Sequence, residues 1–250
     1  MLSSSTDTEV KRIFDLLCAL LALLLLAPLL CILMLAVYAQ DLKSPLYIAP
    51  RVGAGGRAFK MIKLRSMIIN ADKNGVASTS NDDRRITRVG HLIRKSKADE
   101  LLQLVNVVMG DMSLVGPRPN VLAETSLYTN EEKRLLSVRP GITDFASIVF
   151  SDEGDILEGA DDPDLRYNQL IRPGKGFLGL LYIDNQSFTL DLKLICLTVV
   201  AVASKPLALR WLTRMLRGIN APAFLVDIAA RDTELVPMPP PGSNRIVEER

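Results

Sequence analysis

Residues 16–39 read LLCALLALLLLAPLLCILMLAVYA, twenty-four positions without a formal charge. At 1.5 Å per residue such a run makes a helix of ~36 Å, enough to cross a bilayer. Three readings are open. Lys11-Arg12 ahead of the run and Val37-Tyr38-Ala39 near its end suit a secretory signal. Against that, signal cores span ~7–15 residues, and Asp7, Glu9 and Asp15 crowd the head of this one. The second reading is a simple spanning helix, which the residues alone favour. The third depends on Pro28 near the middle, which removes a backbone donor and can bend the helix back to the side it came from. Lys11 and Arg12 lie before the run and Lys43 after it, so charge gives little orientation.

The rest of the chain is different in character. Apolar residues make up 48% of the 250 positions and aromatics only 5%, and the surplus sits mainly in 16–39 and 192–203. That leaves one domain plus membrane attachments. A net charge of +2, with no basic-aromatic interleaving, argues against a nucleic-acid partner. Cys18, Cys31 and Cys196 all lie in apolar runs without metal-ligand spacing, so they read as hydrophobes. His91 is the only histidine, which excludes a two-histidine metal site. Any chemistry must come from acids, lysines and arginines.

Lys97-Ala98-Asp99-Glu100-Leu101 and GDMSLVGPRP at 110–119 supply those groups. Adjacent carboxylates can attack phosphorus or hold a divalent cation, and a guanidinium pairs with phosphate oxygens. Pro117 and Pro119 stiffen the backbone around Arg118, so less entropy is lost when it grips an anion. Ser96 with an acid three residues later satisfies a helix-start pattern, with Leu101, Leu102, Val105 and Val108 following at helical spacing. The plain structural alternative is that Asp99 and Glu100 merely meet the dipole of that helix's first turn. Residues 58–65 alternate like a strand, placing Lys63 and Arg65 on one face as solvated residues or as cations for a phosphate. Gly53-Ala54-Gly55-Gly56 lacks the Lys-Ser/Thr ending of a P-loop and reads as a hairpin turn. Residues 70–84 and 152–164 read as polar loops, and Arg139-Pro140-Gly141 as a turn. After Pro206, Arg210, Arg214 and Arg217 form one helical stripe, with Trp211, Leu212, Met215, Leu216 and Ile219 on the other side. Such a helix can lie among lipid headgroups.

Taken in order, these segments resemble the bacterial sugar transferases, the small monotopic phosphoglycosyl transferases that start assembly of surface glycans. The likeness covers about residues 11–205. It is carried by Lys11-Arg12-Ile13-Phe14-Asp15, Arg51-Val52-Gly53, Lys63-Leu64-Arg65-Ser66-Met67, Arg85-Ile86-Thr87-Arg88-Val89-Gly90, Asp99-Glu100-Leu101, the 110–119 stretch, Pro140-Gly141-Ile142-Thr143 and Asp191-Leu192-Lys193. The resemblance implies a compact α/β domain on the cytoplasmic face of the bacterial inner membrane, with a re-entrant helix and interfacial amphipathic helices. The expected organisation is a flexible 1–10, a re-entrant helix at 11–43, a catalytic domain at 44–191, membrane-associated helices at 192–219, and an extension at 220–250 that ends in disorder. At the bend the family usually carries Ser-Pro, where this chain has Ala27-Pro28.

The resemblance also implies the chemistry. Asp99 attacks the β-phosphorus of a UDP-sugar and releases UMP; polyprenyl (undecaprenyl) phosphate then takes up the phosphosugar. Mg²⁺ is the expected cofactor, with Glu100 and Asp99 as its protein ligands. Arg118 is the expected phosphate contact, with Lys63, Arg65 and Arg88 as further ones. Asp144-Phe145-Ala146-Ser147-Ile148 replaces a common Gly-Trp-Ala-Gln form, which is similar to the branch acting on N-acetylated amino sugars. An oligomer is left open. The rival class is a membrane-anchored, non-catalytic protein that binds phosphate or lipid with the same cations.

Overall fold

The computed structural model describes residues 5–71 and 78–248, so the 70–84 loop lies partly outside the described residues. Helix α1 (Ser5–Asp41) carries the apolar run. Strand β1 (Leu46–Val52) then pairs antiparallel with β2 (Ala58–Leu64), Leu46 opposite Leu64 and Val52 opposite Ala58. The hairpin turn is the expected glycine cluster: Gly55 and Gly56 have φ of 65° and 75°, which glycine adopts without a Cβ clash. Next come α2 (Arg88–Lys95), a 3-10 turn at Ala98–Glu100, α3 (Gln103–Met109) and β3 (Ser113–Val115). Helix α4 (Leu122–Thr125) and a 3-10 stretch (Glu132–Ser137) lead to β4 (Gly141–Thr143), which lies parallel to β3.

The remainder is helical: α5 (Phe145–Val149), α6 (Glu153–Ile156), α7 (Pro163–Arg166) and a π-helical turn (Tyr167–Ile171) that runs into α8 (Arg172–Asn185). Helices α9 (Phe188–Ala203), α10 (Lys205–Gly218) and α11 (Ala223–Ala230) complete it. The fold is therefore mixed, with two separate two-stranded sheets rather than one continuous sheet.

Helix α1 is fastened to the body along its length. Near its start, Lys11 donates to the Val115 carbonyl at 3.0 Å and pairs with Asp191. Arg12 donates to the carbonyls of Val107 and Val108 at 2.6 and 3.0 Å, satisfying groups that the end of α3 leaves open. Asp15, 2% exposed, accepts from the Ser113 hydroxyl at 2.7 Å. Ala19 packs among Met61, Leu104, Val107 and Met112, and Leu30 and Val37 pack among Leu64, Ile93, Ala98 and Leu102. At the far end, the Asp41 carboxylate takes both Nη atoms of Arg65, at 2.7 and 2.8 Å. Both ends of the apolar helix thus touch one body. The helix continues through Pro28 without interruption. Its other flank is bare: Leu17, Leu21, Leu24, Leu25, Ile32 and Leu35 are all exposed, a contiguous apolar surface of the kind that meets lipid or a partner.

Three regions differ from expectation. Residues 192–219 are not appended to the domain: Leu194, Leu197, Leu209, Leu212 and Leu216 share the main core with Phe145, Ile148, Leu178 and Tyr182. The arginine stripe of α10 does face outward, but Trp211 is exposed beside it instead of joining the core side. Residues 152–164 are held rather than solvated. Asp152 pairs with Lys205 at 2.5 Å and Arg231 at 3.1 Å, while Asp164 is buried and accepts from the Ser78 N–H at 2.6 Å. Of the 220–250 extension, the described residues 220–248 form α11 and then a proline-rich strap against the body.

Candidate active site

The expected helix start at Ser96 is instead a helix end. Ser96 closes α2, its hydroxyl donating to the Leu92 and Ile93 carbonyls at 2.9 and 3.1 Å. Lys97 then turns the chain through the left-handed region at φ 55°. This reversal, uncommon for a side chain larger than Asn, delivers Asp99 and Glu100 on a 3-10 turn against the end of β2. Asn106 fixes β2 from behind, where a buried amide accepts from the Ile62 N–H at 2.9 Å and donates to the Lys60 carbonyl at 2.8 Å.

Arg118 arrives from the other side. The β3–β4 pair brings Gly116 and Gly141 so close that a Cβ on Gly141 would lie 2.1 Å from the Gly116 nitrogen. Only glycines allow that approach. The Gly116 N–H donates to the Thr143 carbonyl at 2.9 Å, and the Gly141 N–H to the Pro117 carbonyl at 3.0 Å. Pro117-Arg118-Pro119 therefore emerges from a braced crossing.

The three segments meet as an ionic group. Arg118 forks onto Glu100, with Nη1 3.0 Å from Oε2 and Nη2 on Oε1. Lys63 Nζ lies 3.6 Å from Glu100 and 4.0 Å from Asp99. Burial alone would raise the Glu100 carboxyl, but Arg118 and Lys63 hold it well below its ordinary range. The Arg118 guanidinium is correspondingly raised, chiefly by Glu100. Burial lowers the Lys63 ammonium, with Glu100 resisting. Asp99 goes the other way: burial raises it and Lys63 only partly offsets this. One carboxylate is thus firmly held in its ionised form and its neighbour is left the more basic.

A small cleft opens beside Arg118, lined by Asn120, Tyr128, Asp144, Ser147, Arg172 and Lys175 among others. Lys175 pairs with Glu153 and sits 5.1 Å from the centre of the Tyr167 ring. Asp144 is 1% exposed and caps α5, accepting from the Ser147 N–H and hydroxyl at 2.7 Å each.

The structure therefore brings together Asp99, Glu100, Lys63, Arg118, Pro117 and Pro119. It does not bring in Arg65, which is buried on Asp41, or Arg88, which opens α2 with an exposed side chain and, among the described residues, joins none of the ion pairs around the acids. Sequence reasoning missed Arg51 (whose charge bears on Lys63), Asn106, and the cleft residues Asn120, Tyr128, Arg172 and Lys175. Arg51 had a signal: in the hairpin register it pairs with Phe59, which puts it on the same face as Lys63.

Among the described residues no group of three or more His, Cys, Asp or Glu is placed to hold a metal. The oxygen donors at hand are Asp99 and Glu100. Mg²⁺ commonly uses one or two carboxylates and completes its shell with water and substrate phosphate, so this pair fits an ion that arrives with a diphosphate.

The family pattern described as bacterial sugar transferase matches residues 6–205. The chain is 38% identical over 191 residues to the uncharacterized sugar transferase EpsL of Bacillus subtilis (strain 168), covering 76% of this chain and 85% of that protein. It is 33% identical over 202 residues to UDP-N-acetylgalactosamine-undecaprenyl-phosphate N-acetylgalactosaminephosphotransferase of Aeromonas hydrophila, covering 80% of this chain and 45% of the relative. It is also 33% identical over 200 residues to UDP-glucose:undecaprenyl-phosphate glucose-1-phosphate transferase of Escherichia coli (strain K12), covering 78% and 40%. The chain spans less than half the length of these last two.

Proposed function

This chain belongs to the bacterial sugar transferase family, and from that membership we propose that it moves a sugar-1-phosphate from a UDP-sugar onto undecaprenyl phosphate and releases UMP. The observation that carries this reading is the Asp99–Glu100 pair set against Lys63 and Arg118, with Arg118 also lining the adjoining cleft. An Asp99 oxygen attacks the donor's β-phosphorus. The bond from that phosphorus to the bridging oxygen breaks, and UMP leaves with the electron pair. An oxygen of undecaprenyl phosphate then attacks the same phosphorus, the bond to Asp99 breaks, and the carboxylate is restored. A two-step covalent route lets a water-soluble donor and a lipid acceptor use one site in turn. The raised basicity of Asp99 favours its role as nucleophile, and Lys63 supports the ionised form that attack requires.

Arg118 is the phosphate grip. Its fork is engaged by Glu100, and a diphosphate presents the same planar pair of acceptors. Glu100 and Asp99 would hold Mg²⁺, which offsets diphosphate charge when bound; a chelator in the assay should then abolish turnover and Mg²⁺ restore it. The donor sugar we assign is an N-acetylated amino sugar, supported by Asp144 and Ser147, two residues of the divergent stretch, lying in the cleft beside Arg118. The membrane arrangement we assign is a re-entrant α1 on the cytoplasmic face, supported by the fastening of both ends to one body and by the bare apolar flank.

The test is a panel of UDP-sugars with undecaprenyl phosphate, read by UMP release, together with mass spectrometry of protein incubated with donor alone. A phosphosugar adduct on Asp99 is expected. Product formation with no adduct there at any time would sink the covalent route.

A further inference from the structure

The family pattern stops at residue 205, yet the chain beyond it returns to the cleft. Within Pro237-Met238-Pro239-Pro240-Pro241, Met238 alone has a backbone N–H, and it donates to the Gln169 carbonyl at 3.2 Å. Gln169 bonds back through Nε2 to the Val247 carbonyl at 2.8 Å. Pro240 and Pro241 are buried, and the Pro241 ring lies so near Gly176 that a Cβ there would come within 2.9 Å of it. Fixed proline φ angles lower the entropy lost on ordering, so few hydrogen bonds suffice to hold the strap.

Thr129 joins the strap to the cleft wall. Its hydroxyl donates to the Pro241 carbonyl at 2.5 Å and accepts from the Glu132 N–H at 3.1 Å, while its own N–H donates to Glu132 Oε2 at 2.9 Å. Glu132 is 1% exposed and is gripped by Arg172 through Nε at 3.1 Å and Nη2 at 2.9 Å. Arg172 lies 5.9 Å from the centre of the Tyr128 ring, and the Tyr128 hydroxyl accepts from Asn120 at 2.7 Å. Tyr128, Glu132, Arg172 and Asn120 all line the cleft next to Arg118.

We propose that the C-terminal strap is a donor-positioning element: by holding Thr129 it sets the Glu132–Arg172–Tyr128 wall against which the UDP-sugar rests. This depends on the reaction assigned above and extends it, placing part of donor selection in residues outside the region the family shares.

Full-length Thr129→Val, Thr129→Ser and Met238→Pro test it. Loss of two part-buried hydrogen bonds in Thr129→Val, and of the one Met238 bond in Met238→Pro, should raise the donor KM roughly 5- to 10-fold in each. Both kcat and the KM for undecaprenyl phosphate should stay within about 2-fold, and Thr129→Ser should restore the donor KM. Unchanged donor KM in both variants, or equal rises for donor and acceptor, would overturn the proposal. Met238→Pro lies outside the cleft and decides the matter if Thr129→Val does not fold. Amide exchange across residues 127–132, measured without substrate, should quicken in both variants, and unaltered exchange overturns the strap by itself. A wild type that released no UMP from any UDP-sugar would defeat the assigned reaction, while the exchange result would still judge the strap.

Discussion

Asp99→Asn should separate chemistry from stability. The substitution keeps the side chain's shape and removes its charge. Lys63 Nζ stands 4.0 Å from Asp99 Oδ2, an attraction of about 4 kcal/mol at an effective dielectric near 20, which the variant forfeits. Burial works against that loss. The Asp99 side chain is 10% exposed, and burial outweighs Lys63 in setting its protonation, so its pKa is raised. A carboxyl whose pKa is higher folded than unfolded binds its proton more tightly in the fold. Above the unfolded value its charge therefore lowers stability, and the penalty disappears as pH falls below that value. Asparagine has no such penalty at neutral pH. The expected outcome is a melting temperature unchanged or raised by up to about 4 °C, with UMP release reduced by at least ~10⁴. Thermal unfolding in detergent and a UMP-release assay on the same preparation measure both. A melting point lowered by more than about 4 °C would refute the electrostatic account; turnover within about 10-fold of wild type would remove Asp99 as nucleophile.

Arg118→Lys keeps the charge and loses the fork, and should cut kcat/KM by roughly 10²- to 10³-fold; a loss under about 5-fold would mean that the guanidinium geometry is not used. Lys63→Met removes a cation that lowers the Asp99 pKa, so the acid limb of the kcat/KM–pH profile should move to higher pH. A limb that stays in place or moves down would contradict that pairing. Lys11→Met leaves Asp191, 3% exposed at its side chain, without its cation, and should cost about 3–5 kcal/mol, seen as a melting point lower by roughly 6–20 °C. Adding Asp191→Asn should recover part of the loss, and full additivity of the two changes would show that they do not act as a pair.

The residues that meet at the candidate site were more legible in the sequence than the architecture. Asp99, Glu100 and Arg118 stood out because acids and a proline-braced arginine need no tertiary context to be noticed. The glycine hairpin and the strand carrying Lys63 were equally local. Ser96 misled because a Ser with an acid three residues on marks a helix start by pattern alone, whereas the left-handed Lys97 makes it a stop; nothing in the residue types announces that torsion. Arg65 read as a partner of Lys63 by strand alternation, but it lies one residue past the end of β2, where Asp41 captures it. The cleft was invisible because Tyr128, Asp144 and Arg172 meet only through the packing of distant segments. The strap was missed for a thermodynamic reason: Pro-rich, polar composition signals disorder when the chain is taken alone, and its order here depends on the Gln169 carbonyl and on the room beside Gly176, which a distant segment supplies.

The Val115 carbonyl is held by Lys11 and by the Tyr182 hydroxyl, at 3.0 and 3.2 Å, only three positions before Arg118. The root of the greasy helix and the guanidinium are thereby separated by a short, rigid stretch of chain. With α1 seated in the bilayer as proposed, this hydrogen-bonded linkage sets how far Arg118 stands from the lipid.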